Sequence, residues 1–290
     1  MERNIIRRTR QIALYGILAI LVFVGIILMT GRANAMNDRS AEGSIALPAD
    51  RTIPVSEGIE TKINFGNEKD RDSFHYLKIR AIKTGYIEIV NDYTVGYGIA
   101  LCDENKKVIS VGDKKKDDFY STGSPNKYQT IINYGVLKGK IYHIRLKGNP
   151  YYKRASSTDP YIGTVKWTNT AVKAVKFGTS KKKAVNLKKG KNVKGVFTAG
   201  NRKAQWYKIK SKKKHTNFYF SASKANGHFV GEVFFKSKGK WNKWKIYTRR
   251  GKKLTKSHGY IKKNISRQTT YYVKVYPDYK TSGVYTLKWK

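Results

Sequence analysis

Lysines and arginines cluster at five places in the second half of this chain, and each cluster adjoins a segment that alternates apolar and polar residues. A lysine ammonium is a compact point charge, suited to contacting phosphate or sulfate without reading a planar pattern. The clusters therefore predict contact with polyanions. The predicted polyanion-binding residues are Lys181, Lys182, Lys183, Lys188, Lys189, Lys212, Lys213, Lys214, Lys243, Lys245, Arg249, Arg250, Lys252 and Lys253.

Residues 241–247 add aromatic rings to this charge. If they form a strand, alternate side chains share a face, which groups Trp241 and Tyr247 with Lys243 and Lys245. Exposed rings beside lysines could stack on sugars or bases while the ammoniums contact phosphate. We therefore predict Trp241 and Tyr247 as stacking residues. The alternative is that Trp241 lies in the preceding turn and folds over the edge of the core.

The positive charge is concentrated in one half of the chain. The formal net charge is +41, and residues 171–290 hold 34 Lys/Arg and two acidic residues, a net +32. Residues 36–170 have a net charge of only +5. Such an excess destabilises the compact state by self-repulsion, and a polyanion would relieve it. The expected partners are an anionic envelope polymer or membrane surface, with nucleic acid as a non-specific ligand. The alternative is that the charge serves only solubility.

No familiar catalytic pattern occurs in the sequence. It lacks a Gly-x-Ser-x-Gly elbow, a His-Glu-x-x-His pair and a phosphate-binding glycine loop. The five histidines are scattered, and His75 and His143 fall at polar positions of alternating segments, which predicts that both lie at the surface. We therefore expect a protein that is not an enzyme and needs no cofactor.

Asp70 and Asp72 are the candidate metal ligands. Their carboxylates could supply oxygens to Ca²⁺, together with Asp103 or Glu104 from a neighbouring turn. Calcium takes six to eight oxygen ligands, so an isolated Asp-x-Asp is too few. The alternative is that these side chains form hydrogen bonds within turns.

The N-terminal residues 1–35 have the pattern of an export signal. Four arginines in residues 1–10 precede the uncharged segment Ile12–Thr30, which is as long as a membrane-crossing helix. Ala33 and Ala35 have the spacing that a signal peptidase accepts. The sequence therefore predicts either cleavage after Ala35 and secretion, or a retained membrane anchor. In both cases residues 36–290 lie on the extracellular side of the cytoplasmic membrane, beginning with a flexible spacer at 36–52.

The remaining sequence predicts an all-β fold. Short β-branched and aromatic segments alternate with turns, and one pattern occurs twice: 142–146 with 163–167, and 271–275 with 285–289. Each pair looks like a closing hairpin, so we predict two tandem β-sandwich modules, 53–168 and 172–290. Cys102, the only cysteine, excludes an intramolecular disulfide and is expected to pack in a core or at a sheet edge.

Three segments of the first module resemble one family. Residues 70–76 (Asp-Arg-Asp-Ser-Phe-His-Tyr), 85–89 (Gly-Tyr-Ile-Glu-Ile) and 139–146 (Gly-Lys-Ile-Tyr-His-Ile-Arg-Leu) resemble the motifs of bacterial pre-peptidase C-terminal domains. The resemblance implies a jelly-roll-like β-sandwich of the kind appended to secreted enzymes and surface proteins. It also implies Ca²⁺ binding in some relatives. The second module keeps the strand patterns at 205–209 and 271–275 but has no acidic opening.

The sequence thus predicts an exported, non-catalytic protein of the cell envelope whose basic second module binds polyanions. The alternative is an accessory protein that supports a secreted enzyme, or that binds carbohydrate or another protein.

Overall fold

The structure is a computed structural model. It describes residues 45–46, 52–64, 74–93, 97–111, 119–120, 129–148, 162–211, 215–237, 239–248, 260–264 and 269–290. Residues 46–290 form one compact unit. No helix in these described ranges is long and apolar enough to span a membrane. The predicted export segment, the predicted cleavage site at Ala35 and most of the predicted spacer lie outside them.

The first half of the described chain forms two β-sheets. Its strands are β1 (Ile45–Ala46), β2 (Thr52–Pro54), β3 (Glu60–Asn64), β4 (Phe74–Arg80), β5 (Gly85–Tyr93), β6 (Tyr97–Cys102), β7 (Val108–Ser110), β8 (Phe119–Tyr120), β9 (Gln129–Val136), β10 (Ile141–Gly148) and β11 (Ile162–Ala171). One sheet has the order β1-β3-β11-β5-β9. The other has the order β2-β4-β10-β6-β7, and β8 also pairs with β6. The two sheets form the first sandwich.

The second half repeats this arrangement. Its strands are β12 (Val185–Asn186), β13 (Val193–Phe197), β14 (Gln205–Ser211), β15 (His215–Ala225), β16 (Phe229–Ser237), β17 (Lys240–Tyr247), β18 (Tyr260–Asn264), β19 (Thr269–Pro277) and β20 (Gly283–Trp289). The sheets have the orders β12-β14-β19-β16-β17 and β13-β20-β15-β18. The first of these follows β2-β4-β10-β6-β7 strand for strand, including a parallel first pair, β2 with β4 and β12 with β14. The described residues are all-β and form two tandem sandwiches, as predicted, whereas the exact module boundaries stay a prediction.

The predicted closing hairpins are wrong. β10 pairs with β4 and β6, whereas β11 pairs with β3 and β5 in the other sheet. β19 and β20 are likewise in different sheets. Each copy of the repeated pattern therefore consists of two consecutive strands that lie in different sheets, and the chain crosses between the sheets in the segment that connects them. Alternation alone shows that a strand has one buried face, but it does not show which strand is its neighbour.

The apolar side of each alternating strand builds the core of its sandwich. In the second sandwich, Tyr271, Val273 and Val275 of β19 contribute to one buried cluster with Leu287 and Trp289 of β20. The Trp289 indole N–H also donates to the Leu187 carbonyl oxygen at 3.0 Å. Full burial of each large apolar side chain stabilises the fold by about 1.5–3 kcal/mol.

The surface positions predicted for His75 and His143 are also wrong. Both side chains are buried. His75 shares the core side of β4 with Leu77, and His143 forms a hydrogen bond from its ring to the Asp103 carbonyl oxygen at 2.9 Å. The prediction failed because it assumed that a polar residue faces water, although the neighbouring turn provides a backbone partner for the His143 ring. Cys102 is buried, which confirms its predicted packing role.

A buried polar junction joins the two sandwiches. The Asn226 side-chain amide donates to the Ser110 hydroxyl at 3.0 Å, and its oxygen accepts from the Ser282 backbone N–H at 2.8 Å. The Gly135 backbone N–H donates to the Ser282 hydroxyl at 3.1 Å. A Cβ on Gly135 would lie 2.0 Å from the Phe197 carbonyl oxygen, so only glycine permits this approach. The second sandwich is therefore held in one orientation against the first.

Candidate functional site

One sheet of the second sandwich has an outer surface of lysines and aromatic rings. Tyr207 and Ile209 of β14 point into the core, which places Trp206 and Lys208 on the opposite surface. The same alternation holds along β16, β17 and β19. We call this surface the lysine–aromatic face. It comprises Trp206, Lys208, Lys210, Glu232, Phe234, Lys236, Trp241, Lys243, Lys245, Tyr247, Tyr272, Lys274 and Tyr276, with Lys181 added from a loop.

Strand register brings residues that are distant in sequence together on this face. Phe234 lies opposite Tyr272, and Glu232 lies opposite Lys274. The Trp206 ring stacks with Phe234 across the intervening strand, at 5.6 Å between ring centroids. Aromatic pairs in such arrangements stabilise a fold by about 0.5–1.5 kcal/mol beyond their buried area. Two ring pairs, Trp206 with Phe234 and Trp241 with Tyr272, therefore form an aromatic floor among the lysine side chains.

Glu232 is the one acidic side chain among the strand residues of the face. It is only 6 % exposed, and its carboxylate oxygens lie 3.7 Å from Lys243 Nζ and 3.5 Å from Lys274 Nζ. The Tyr276 hydroxyl donates a hydrogen bond to it, and the pKa of Tyr276 is raised by burial first and by the Glu232 charge second. Glu232 thus forms ion pairs with two lysines and offsets part of their charge.

A loop adds Lys181 to the face. Its base is an isolated bridge in which the backbones of Gly178 and Trp206 exchange two hydrogen bonds of 2.9 Å. Lys181 Nζ lies 3.1 Å from the ring centroid of Trp241 and 5.1 Å from that of Tyr272. Burial, and then the charge of Lys236, lowers the pKa of Lys181. The ammonium is therefore held over an indole, next to a second positive charge.

Several residues predicted from the sequence come together here. Trp241 lies in β17 and is 48 % exposed, which excludes the alternative that it folds over the core edge. Lys243, Lys245 and Tyr247 share its face, and Lys181 contacts its ring. Trp241 and Tyr247 are six residues apart on one strand, or about 20 Å, too far to hold one sugar ring between them.

Other predicted residues lie elsewhere. Lys182 and Lys183 are exposed in the same loop as Lys181. Lys188 and Lys189 are exposed in the turn between β12 and β13, where the chain crosses to the other sheet. The remaining predicted positions lie outside the described residues: Lys212, Lys213, Lys214, Arg249, Arg250, Lys252, Lys253, Asp70 and Asp72.

Of the residues considered for a metal site, only Asp103 and Glu104 lie in the described ranges, so the metal site stays a prediction. The Asp103 carboxylate accepts hydrogen bonds from the backbone N–H groups of Asn105 at 3.0 Å and Lys107 at 2.9 Å, so it stabilises the predicted turn. Glu104 is exposed in that turn. The described ranges contain no group of three or more His, Cys, Asp or Glu side chains that could hold a metal ion.

Nine of the fourteen residues of the lysine–aromatic face were not predicted from the sequence. Trp206, Phe234, Tyr272 and Glu232 are among the nine, because none of these four lies in a charge cluster. The alternation Glu232-x-Phe234-x-Lys236 was a local signal that these three side chains share a surface. Only the pairing of β16 with β19, which lies some 40 residues further along the chain, shows what surrounds them.

No protein-family model and no curated protein sequence matches the chain. Among solved structures it is similar to the pre-peptidase C-terminal domain of a collagenase from Bacillus anthracis, with 12 % identity and a TM-score of 0.26, over 42 % of this chain and 98 % of that one. It is also similar to tandem CBM51 modules of a family 98 glycoside hydrolase from Streptococcus pneumoniae, with 10 % identity and a TM-score of 0.23, over 79 % and 84 % of the two chains.

A third similar structure is the PBSX exported protein XepA, with 10 % identity and a TM-score of 0.22, over 82 % of this chain and 89 % of that one. The first structure is a pre-peptidase C-terminal domain, the family that the motifs at 70–76, 85–89 and 139–146 resemble.

Proposed function

We propose that this chain is an exported, non-catalytic binding protein that holds a polyanion against its lysine–aromatic face. The supporting observation is the charge of that face. The one carboxylate among the strand residues of the face, that of Glu232, already lies between Lys243 and Lys274. Six lysines lie on its four adjacent strands: Lys208, Lys210, Lys236, Lys243, Lys245 and Lys274. A flexible polymer with regularly spaced phosphates or sulfates matches such a surface, since each contact releases condensed counterions.

The proposed setting is the cell envelope. The arginines of residues 1–10 and the apolar segment Ile12–Thr30 support export. Anionic wall polymers, anionic lipid head groups and sulfated glycans are the polyanions found there. N-terminal sequencing of the protein from the extracellular and membrane fractions tests this localisation. A chain beginning at Met36 supports secretion, and a membrane-bound chain that keeps Ile12–Thr30 supports anchoring. A chain found only inside the cell would contradict export.

The experiment for binding is a salt series. The purified protein is titrated with poly(glycerol phosphate), anionic liposomes and single-stranded DNA between about 50 and 200 mM salt. Each contacted phosphate adds about 0.7–0.9 to the slope of log K against log salt, so six contacts predict a slope of about 4–5 in magnitude. Binding that does not depend on salt would contradict charge as its cause.

The aromatic floor favours one second candidate, the binding of neutral glycans. Trp241 is exposed beside Tyr272, with 5.9 Å between ring centroids, and exposed indoles stack on sugars. This candidate predicts that uncharged glycans bind as well as anionic ones. Trp241→Ala would then abolish binding that Lys243→Ala leaves intact. Polyanion binding predicts instead that Lys243→Ala lowers the affinity for poly(glycerol phosphate), a polymer without sugar rings, more than Trp241→Ala does.

A further inference from the structure

We propose that Lys181 and Lys236, held over the indole ring of Trp241, form a site for one tetrahedral oxyanion, a phosphate or sulfate group of the bound polymer. This inference rests on the proposed function, since it names the anion that one corner of the lysine–aromatic face binds. It concerns one site formed by two lysines, whereas the proposed function depends on the charge of the whole face.

Two ammonium groups share one aromatic ring. Lys181 Nζ lies 3.1 Å, and Lys236 Nζ 5.7 Å, from the ring centroid of Trp241. An ammonium within about 6 Å of an aromatic centroid is attracted to the ring face. Both ammonium groups therefore lie near one ring, which offsets part of the repulsion between them.

The two lysines also differ from their neighbours in their ion pairs. Lys243 and Lys274 both lie within 4 Å of the Glu232 carboxylate. Among the residues that the structure describes, no carboxylate lies within that distance of Lys181 or Lys236. A phosphodiester or sulfate ester of the polymer carries one negative charge and several acceptor oxygens, which can accept hydrogen bonds from two ammonium donors.

The site is held in place by the backbone on both sides. Lys236 lies directly opposite Trp241 in the β16–β17 pair, so its position follows from strand register. Lys181 belongs to the loop fixed at the Gly178–Trp206 bridge. A Cβ on Gly178 would lie 2.1 Å from the Lys183 carbonyl oxygen, so the tight turn requires glycine there. The site therefore needs little rearrangement to bind its ligand.

The pKa of Lys181 provides a measurable response to a bound anion. Burial and the neighbouring Lys236 charge lower the pKa of Lys181, because both disfavour its charged form. A bound anion favours the charged form and must raise that pKa. Binding at pH values above the Lys181 pKa should therefore take up a proton.

The test combines a small anion with a polymer. In NMR spectra of protein labelled at lysine Cε, inorganic phosphate should shift the signal lost in Lys181→Ala and the signal lost in Lys236→Ala, with one shared saturation curve. Phosphate should also raise the pKa of Lys181 in a pH titration of that signal. Trp241→Leu keeps both charges and should weaken phosphate binding about two- to fivefold. Equal, non-saturating shifts at all lysines would overturn the site.

The polymer arm uses matched charge pairs. With poly(glycerol phosphate), Lys181→Ala/Lys236→Ala should lower the log–log salt slope by about 1.4–1.8. The control pair Lys194→Ala/Lys288→Ala, on the outer side of the opposite sheet, should leave the slope unchanged. An equal fall of the salt slope in the two double variants, or an unchanged slope in Lys181→Ala/Lys236→Ala, would contradict the proposed site. The same pair of substitutions is also tested with a heparin-type glycan, which carries sulfate in place of phosphate. The polymer for which the pair lowers the salt slope carries the anion that the site binds.

The outcome also separates this site from the proposed function. If the first pair leaves the polymer slope unchanged while the wild type still binds in a salt-dependent way, the oxyanion site is wrong and the face still binds polyanions. If the wild type does not bind any polymer, the proposed function is wrong, and the phosphate titration alone then decides the site.

Discussion

Ser110 of the first sandwich and Ser282 of the second share a buried hydrogen bond, with 2.7 Å between their hydroxyl oxygens. The Ser110 hydroxyl also donates to the Lys280 carbonyl oxygen at 2.8 Å, so the Ser282 hydroxyl donates to Ser110. Separation of the two sandwiches would break these buried hydrogen bonds and the close backbone contact at Gly135. The two sandwiches should therefore unfold together, and binding should be measured on the whole protein.

Asn226→Ala should destabilise the protein by about 1–3 kcal/mol. The substitution removes the donor to Ser110 and leaves the buried Ser282 backbone N–H without its acceptor. Urea unfolding followed by fluorescence measures the effect. Asn186→Ala, at an exposed position of β12, is the matched control and should change stability by less than about 0.5 kcal/mol. A wild-type unfolding midpoint for Asn226→Ala would contradict the role of the junction.

The second sandwich should lose stability at alkaline pH through Tyr207. Burial raises the pKa of Tyr207 to about 12, although its hydrogen bond with Tyr285 lowers it. In the unfolded chain a tyrosine ionises near pH 10, so the neutral group contributes its full stability below about pH 10 and loses it as the pH rises towards 12. The loss across this window is about 3 kcal/mol.

Urea midpoints between pH 8 and 12 measure this loss. Tyr207→Phe should show a smaller fall over the window, whereas Tyr247→Phe, at an exposed position, should keep the fall of the wild type. An identical pH profile in Tyr207→Phe and the wild type would show that another group causes the alkaline loss.

Glu232→Gln should strengthen polyanion binding. The carboxylate offsets the charges of Lys243 and Lys274 and repels an approaching anion, so its removal leaves both lysines available. The matched control is Glu88→Gln, which changes the net charge equally but removes the partner of Lys224 in the other half of the molecule. Affinity for poly(glycerol phosphate) at constant salt should rise several-fold only in Glu232→Gln. A similar rise in both variants would mean that net charge alone governs binding.

The sequence predicted the features that depend on local alternation. The face shared by Trp241, Lys243, Lys245 and Tyr247 follows from the period of two along one strand, and the structure has it. The all-β class and the duplicated unit follow from the same pattern. These features need no knowledge of which strands are neighbours.

Features that depend on strand neighbours could not be predicted. The closing strands looked like hairpins because they follow each other in sequence, yet β19 and β20 lie in different sheets. Trp206 and Phe234 stack although 28 positions separate them, and the pairing of their strands with β19 determines that contact. Glu232 was overlooked because a lone acidic residue in a basic segment acquires its role only from the lysines that the sheet places around it.

Polyanion binding by the lysine–aromatic face is tested most directly by removing lysines from that face and from elsewhere in equal number. The face variant is Lys208→Gln/Lys243→Gln/Lys245→Gln, and the control is Lys191→Gln/Lys194→Gln/Lys288→Gln, which has the same net charge. The log–log salt slope for poly(glycerol phosphate) should fall by about 2.1–2.7 in the face variant and remain at the wild-type value in the control. Equal slopes in the two variants would contradict binding by this face.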